Sequence, residues 1–429
     1  MTDPSSVQAQ TSAQAQAPAP VPERSYRALL AVPAMGRILL GMVMSRIAGT
    51  MVIVALVLFT LRTYDSPQLA GIVAASYGIP GVLLSPIAGA LLDRHGRARL
   101  IVLDYVVAAA ALILLALLAL ANALPPWLLV AIALASSITQ PLSLSGLRSL
   151  FPILVPRHLW ERANALDSNG YVLAIIVGPP AAASIVGLWG GPVALLVIAV
   201  LFVASAAVLV RVPDPETATA TSGRLLRDAW DAVAYIWRNA TLRALGIAIS
   251  LVNVGWGVLT IVVPVIVIRQ LGQPDAVVGV AFAVTGISGG VSALAFGRID
   301  TRGRERRMLA SGILVTAGAL GILLVDTGLG AVFLTLALIG LATGPLDIAL
   351  FTLRQRRTDP AWMGRAFAVS MSINGLGIPV GSVVGGVLEA WIPAALLVSI
   401  ACGLVAAAAA WWMIPAEEPA LGEVEAGAA

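Results

Sequence analysis

Apolar residues run along this chain in twelve stretches, separated by short polar turns. Each is long enough to cross a hydrocarbon core as a helix of roughly 18 to 25 residues. They cover approximately Ile38–Leu61, Gln68–Leu91, Leu100–Ala121, Trp127–Leu147, Asn164–Leu188, Pro192–Val210, Ala244–Ile268, Ala276–Gly297, Met308–Val325, Ala331–Phe351, Ala366–Leu388 and Ile392–Met413. Ahead of them, Met1–Glu23 is rich in Gln, Ala, Ser and Pro and has no apolar run. It reads as a disordered tail, and without an apolar core it is not a secretory signal peptide. The longest polar insert, Arg211–Arg243, opens with the breaker run PDPETATATSG. Beyond it Leu226, Trp230, Val233 and Trp237 recur at helical spacing, opposite Arg224, Arg227, Asp228 and Asp231. That pattern predicts an amphipathic helix lying on the membrane surface and tying two halves together. A plain linker helix is the alternative.

Composition agrees with the pattern. With 59% hydrophobic and 11% charged residues and a mean hydropathy of +0.94, the 429-residue chain is an all-α, polytopic membrane protein, since soluble domains are about 25% charged. Every one of the 26 basic residues is Arg. Without Lys there is no phosphate-binding Walker lysine and no Schiff-base amine. The single Cys402 cannot form an internal disulfide, and His95 and His158 both fall in charged loops. No metal site, cofactor or nucleophile–base pair is therefore expected, and an enzyme is the least favoured class. A pI near 9.7 raises nucleic acid as a partner, but topology explains the Arg distribution better. With a cytoplasmic N-terminus, 23 of the 26 Arg lie on the cytoplasmic side, Arg62 and Arg269 lie outside, and Arg46 lies within the first span. The positive-inside rule then places both termini in the cytoplasm of a cell (inner or plasma) membrane.

The halves repeat. Asp93 and Asp300 are 207 residues apart, Pro141 and Pro345 are 204 apart, and Arg162 and Arg365 are 203 apart. Similar offsets predict two six-helix bundles of common design around a central cleft, related by an axis along the membrane normal. The expected organisation is a tail over 1–36, a bundle over 37–212, a linker over 213–243, a second bundle over 244–414 and an acidic tail over 415–429, the whole being monomeric.

The most distinctive polar stretch is Gly89–Arg99, GALLDRHGRAR, read as a short loop too charged to enter lipid. A degraded copy, Phe296–Arg307, FGRIDTRGRERR, lies half a chain later. The form G-x-L-x-D-R-x-G-R, carried by Gly89, Leu91, Asp93, Arg94, Gly96 and Arg97, resembles the signature loop between the second and third helices of the major facilitator superfamily. The segments RSLFPILVPRHLWERANA, RQRRTDPAWMGRA and AVAYIWRNATLRAL are similar to its macrolide-efflux and enterobactin-exporter branch. Span 5 carries Gly170, Gly178 and Pro179, which resemble the antiporter motif of export-type members, with Ala174 in the first Gly position; Gly377, Pro379 and Gly381 are the counterpart in span 11. Helix packing alone is the other reading of these small residues. The resemblance implies the major facilitator fold and a secondary active transporter working by alternating access. In it, the motif locks the inner ends of the bundles, with Gly89, Asp93, Arg94, Gly96, Arg97, Asp300, Gly303 and Arg304 as gating residues. A purely topogenic Arg cluster is the alternative.

Four polar residues at depth, Arg46, Gln140, Asn253 and Asn374, are candidate substrate contacts. Arg46 lies roughly 12 Å past Arg37 along the first span, and a charge there must face a cavity or a partner. It meets an anionic substrate group, or an acidic side chain in a bundle-interior ion pair. The amides contact substrate or bond neighbouring helices. Asp347 and Asp104 are candidate proton carriers, because apolar surroundings favour proton exchange by a carboxyl group; gate ion pairs are the alternative. Asp347 is the preferred one, with Arg354 at i+7 on its helical face. Mostly apolar walls suit a small hydrophobic or amphipathic compound, such as a drug, antibiotic or siderophore-like metabolite, better than a sugar. The expectation is proton-coupled export. An uptake carrier of the same fold and a non-transporting receptor or scaffold are the rivals.

Overall fold

The computed structural model describes residues 25–212, 225–297, 301–359 and 362–415, and within their helices some side chains, Asp93 and Arg94 among them, lie outside the described residues. The architecture is a bundle of long helices: α1 Tyr26–Leu30, α2 Met35–Tyr64, α3 Pro67–His95, α4 Arg97–Leu120, α5 Pro126–Ser136, α6 Gln140–Leu154, α7 Trp160–Trp189, α8 Gly191–Leu209, α9 Leu225–Arg238, α10 Ala240–Pro264, α11 Asp275–Phe296, α12 Glu305–Val325, α13 Leu329–Arg356, α14 Met363–Gly375, α15 Gly377–Val387 and α16 Ile392–Met413. Among the described residues, eleven helical segments are long and apolar enough to cross a membrane. Every expected stretch falls on a helix. The second falls on α3, which is long enough but is not among the eleven.

Local chemistry explains the turns. Asp65 caps α2 at φ 48°, then Ser66 accepts from the Leu69 amide at 3.1 Å and Pro67 opens α3 with a preset φ. Asn239 likewise caps α10 by accepting from Leu242 at 3.0 Å. Two expected spans are broken. The fourth stops after Ser136 and restarts at Gln140, where Pro141 lacks an amide proton and sits harmlessly in a first turn. The eleventh is divided at Leu376 between Gly375 and Gly377. Past Pro264, α10 continues as a π-helical turn over Val265–Gln270, a local widening that re-aims the residues it carries.

The signature stretch corrects a sequence expectation. It is not a loop: α3 runs through Asp93 to His95 and α4 begins at Arg97, so the connection is Gly96 alone, at φ 93°. Only a residue without a Cβ turns so sharply at that φ without strain. Gly303, 207 residues later, has φ 70° at the foot of α12. Both copies therefore place a glycine with positive φ at the same point of the repeat. Asp300 and the side chains of Asp93 and Arg94 lie outside the described residues, and Gly89 falls within α3.

In one group of helices α2, α4, α7 and α8 pack on each other with α3, α5 and α6 attached; in the other, α10, α12, α13, α15 and α16 do so with α11 and α14. The groups meet along α3–α15 and α7–α11. Exposed Trp residues mark the borders of the apolar belt, as amphipathic rings do at a membrane interface. Trp127, Trp189 and Trp391 lie at the end opposite Gly96 and Gly303; Trp411 and Trp412 lie at the same end as these glycines. On α9, Ala232 and Ile236 are buried against Ala366 and Val369 of α14, and Tyr235 stacks on Trp362 at 4.9 Å, while Trp230 and Trp237 remain exposed. The expected single apolar face is thus divided, one stripe docked on protein and one outward. Arg224 and the side chains of Leu226, Arg227 and Asp228 lie outside the described residues.

Candidate functional site

Arg46 projects from α2 to α7, where Nη2 meets Asp167 Oδ1 at 2.5 Å and Nη1 donates to the Asp167 backbone carbonyl. The pair is nearly buried, with side-chain exposures of 13% and 8%. Tyr171, one turn on, places its ring 5.7 Å from the guanidinium, within cation–π range. In the other group Asn253 projects from α10 to α14, where Nδ2 donates to the Asn374 carbonyl at 2.7 Å. Both contacts join residues 121 apart in sequence, and Arg46 and Asn253, like Asp167 and Asn374, are 207 apart. Three of the four residues were legible as polar groups at depth. Asp167 was missed, although it sits inside the fifth apolar stretch, and a carboxylate within a span was the signal that could have found it.

Asn374 is buried and has a second set of partners. With its amide turned to satisfy both ends, Oδ1 accepts from Arg354 Nη2 at 2.8 Å and Nδ2 donates to the Ser370 carbonyl at 3.1 Å. Arg354 is fully buried and lies in electrostatic contact with Asp347. The tenth apolar stretch ends at Phe351, which leaves Arg354 beyond the expected span. Helix α13 instead continues to Arg356, because Leu353 still buries on the core. Asp347 therefore stands roughly 13 Å from the helix end rather than one turn. Asp104 is buried in α4 and accepts from Thr139 Oγ1 at 2.7 Å, at the break between α5 and α6. Gln140, half-buried beside it, faces Gly81 of α3: a Cβ on that glycine would lie 2.7 Å from Gln140 Oε1.

The small residues of α7 and α15 divide between two faces. A Cβ on Gly170 would crowd Val43, and one on Gly178 would strike Thr50, so these glycines admit α2 of their own group. Gly377 and Gly381 admit the backbone of α10 at Ser250 and Val254 in the same way. The approach between groups is made by Pro179 and Pro180 of α7 against Gly279 of α11, and by Pro379 of α15 against Gly78 of α3. At the motif end, Glu305 is buried and paired with Arg356; Gly303 and Arg304 lie beside it at the foot of α12. Among the described residues no group of His, Cys, Asp and Glu could hold a metal ion.

A second charged constellation lies at the opposite end, and the sequence reading noted only its arginines. Arg62 at the end of α2 binds Asp275 at the start of α11 through Nη2 at 2.7 Å and Nε at 3.1 and 3.2 Å. Arg269, on the π-helical turn, donates to the Asp65 carbonyl at 2.7 Å, pairs with the Asp65 carboxylate and reaches Glu389 at 3.1 Å. Between them is a cavity of about 410 Å³ lined by Leu61, Arg62, Asp65, Pro264, Ile268, Arg269, Gly272 and Gln273.

Long apolar helices in two groups that repeat their buried polar contacts 207 residues apart describe a multi-pass membrane transporter. The chain belongs to the Major Facilitator Superfamily, whose family model matches residues 38–382 and 245–429. It is 36% identical over 393 residues to an uncharacterised MFS-type transporter, y4rN, of Sinorhizobium fredii, covering 91% of this chain and 97% of that protein. It is 22% identical over 349 residues to macrolide efflux protein A of Streptococcus pyogenes, covering 80% and 85%. Among solved structures, the nucleoside transporter NupG superposes with a TM-score of 0.72 at 16% identity over 89% of this chain and 99% of that one. A POT family transporter in complex with a thioalcohol-conjugated peptide gives 0.69 at 12% identity, covering 91% and 96%. At such identities the structures speak for the fold alone.

Proposed function

We propose that this transporter is a proton-coupled exporter of small hydrophobic or amphipathic compounds, working by alternating access between two pseudo-symmetric six-helix bundles. In this reading twelve helices cross the cell membrane, both termini are cytoplasmic and the molecule acts as a monomer. The observation that carries it is the balance of charge in the polar cores. Arg46 is opposed by Asp167, and Arg354 by Asp347, so neither of these two arginines offers an uncompensated positive charge to a substrate. Apolar surface and a few amides remain for recognition, which suits compounds with little charge. Similarity to macrolide efflux proteins supports outward direction.

Asp347 and Asp104 are the proton carriers: each is a carboxyl group in a largely apolar helix, Asp347 facing Arg354 of its own helix and Asp104 accepting from Thr139. Arg46, Gln140, Asn253 and Asn374 line the substrate path. The residues of the two signature copies, Gly89, Asp93, Arg94, Gly96, Arg97, Asp300, Gly303 and Arg304, act at the cytoplasmic gate. The test is accumulation of a diverse panel of labelled compounds in cells with and without the protein. Export predicts that collapsing the proton gradient raises accumulation, whereas uptake by the same fold predicts that it falls. Asp347→Asn and Asp104→Asn should flatten the pH dependence. An unchanged pH dependence in both variants would remove them as carriers.

A further inference from the structure

We infer that the two arginines at the extracellular end form a reciprocal latch, each lobe reaching across to an acid of the other, and that breaking it is a required step in opening the outer side. The inference rests on the two-lobe reading above. Arg62 and Arg269 are 207 residues apart, the spacing of the repeat, and so occupy the same position at the end of the first helix of each lobe. They are also the two arginines that the topology places outside. The acids are not duplicated: opposite Asp65 the second repeat has Gly272, and opposite Asp275 the first has Gln68. Each lobe therefore supplies one shared arginine and one acid of its own, and both strong pairs cross the lobe boundary, joining residues 213 and 204 apart. Pairs that serve only to hold a lobe together would not need to cross it.

The surroundings are those of a closed seam. Gly71 of α3 lies against the Ser382 carbonyl, Gly386 of α15 against the Pro67 carbonyl, and Gly187 of α7 beside Asp275. The halves of the latch differ in character. Asp275 is fully buried although Arg62 is about half exposed, so withdrawing Arg62 strands a carboxylate out of water. Asp65 is exposed, and Arg269 also touches Glu389 of its own lobe. When the lobes part, Arg269 keeps Glu389 while releasing Asp65. One pair thus dominates the hold, and the other exchanges partners with little cost.

The experiment uses the full chain in liposomes with Cys402→Ser, and spin labels on Trp127→Cys and Trp391→Cys at the outer end or on Leu144→Cys and Leu294→Cys nearer the inner end. All four labelled residues are exposed. Distances within each pair are then measured. Arg62→Gln should raise the ratio of long to short outer distances about tenfold, equivalent to ~1.4 kcal/mol. Arg269→Gln should raise it by a smaller factor. Arg62→Lys and Arg269→Lys, which keep the charge, should stay near the parent. The inner pair reports whether each variant keeps its fold. Outer distances in both Gln variants that superimpose on the parent, while pH and salt still move the parent, would overturn the latch and leave the two-lobe reading standing. Distances that never change at either end, under any condition, would overturn both.

Discussion

Replacing Arg46 by Asn removes the partner of a carboxylate whose side chain is 8% exposed. Breaking a buried ion pair from one side costs about 3–5 kcal/mol, chiefly because the remaining charge is left unpaired. Two polar contacts to Asp167 go at once, the ion pair and the bond to its carbonyl, and with them the cation over the neighbouring Tyr171 ring. We therefore place the cost of Arg46→Asn near the lower bound, about 3 kcal/mol, since some water follows the 13% of the Arg46 side chain that is exposed. The double variant Arg46→Asn with Asp167→Asn recreates, at the same repeat positions, the Asn253–Asn374 arrangement of the other lobe. An amide contact between membrane helices is worth roughly 0.6 kcal/mol on average, and no charge is stranded. The double variant should thus recover most of the loss, giving a coupling of about 2 kcal/mol. Reversible unfolding in mixed micelles, run as a double-mutant cycle, measures this directly. Single-variant losses that add in the double to within about 0.5 kcal/mol would show that the pair is not a coupled structural unit.

Two further outcomes follow from the packing. A Cβ at Gly279 would lie 2.5 Å from Pro180 Cα and 2.8 Å from the Pro179 carbonyl oxygen, backbone that cannot yield, so Gly279→Ala should hold the lobes apart on that side. Cysteine cross-linking between α7 and α11 should slow several-fold, and an unchanged rate would refute the contact. Tyr235→Ala removes the stacked Trp362 contact and the bond from the Asp359 amide at 2.9 Å. An aromatic pair contributes about 0.5–1.5 kcal/mol beyond its area, so hydrogen exchange of the α9 amides should quicken roughly two- to tenfold, with α2 unaffected.

Much of the fold was legible because lipid imposes one rule on every span: backbone groups must be satisfied within the helix, so length and apolarity suffice to find it. What composition could not show was where a helix continues through charge. Asp93, Arg94 and His95 read as a loop because charged residues are costly in lipid, yet at a helix end they need not enter it, and only Gly96 has to turn. The same reasoning ended the tenth span at Phe351, although Leu350 and Leu353 are core residues and draw the helix onward to Arg356. For the site, isolated polar residues announced themselves one at a time. Their partners did not, because the contact between Arg46 and Asp167 depends on how α2 and α7 cross. The repeat could have supplied it: Asn374 was already singled out, and its equivalent 207 residues earlier is Asp167.

That equivalence carries one more step. Asp167 and Asn374 occupy the same repeat position, and each is met by a guanidinium, but from different helices: Arg46 comes from α2, and Arg354 from α13. The first is neutralised by the residue it meets. Asn374 has no charge to offer, and the compensation falls to Asp347, two turns back on the helix that bears Arg354. In the first lobe the opposed charges therefore sit on two helices, and any change in the crossing of α2 and α7 works against their attraction. In the second they sit on one helix and travel together, and α14 meets Arg354 through the Asn374 amide. The lobes share a plan but place these charges differently, and the break at Leu376 falls just past Asn374, the residue that Arg354 meets.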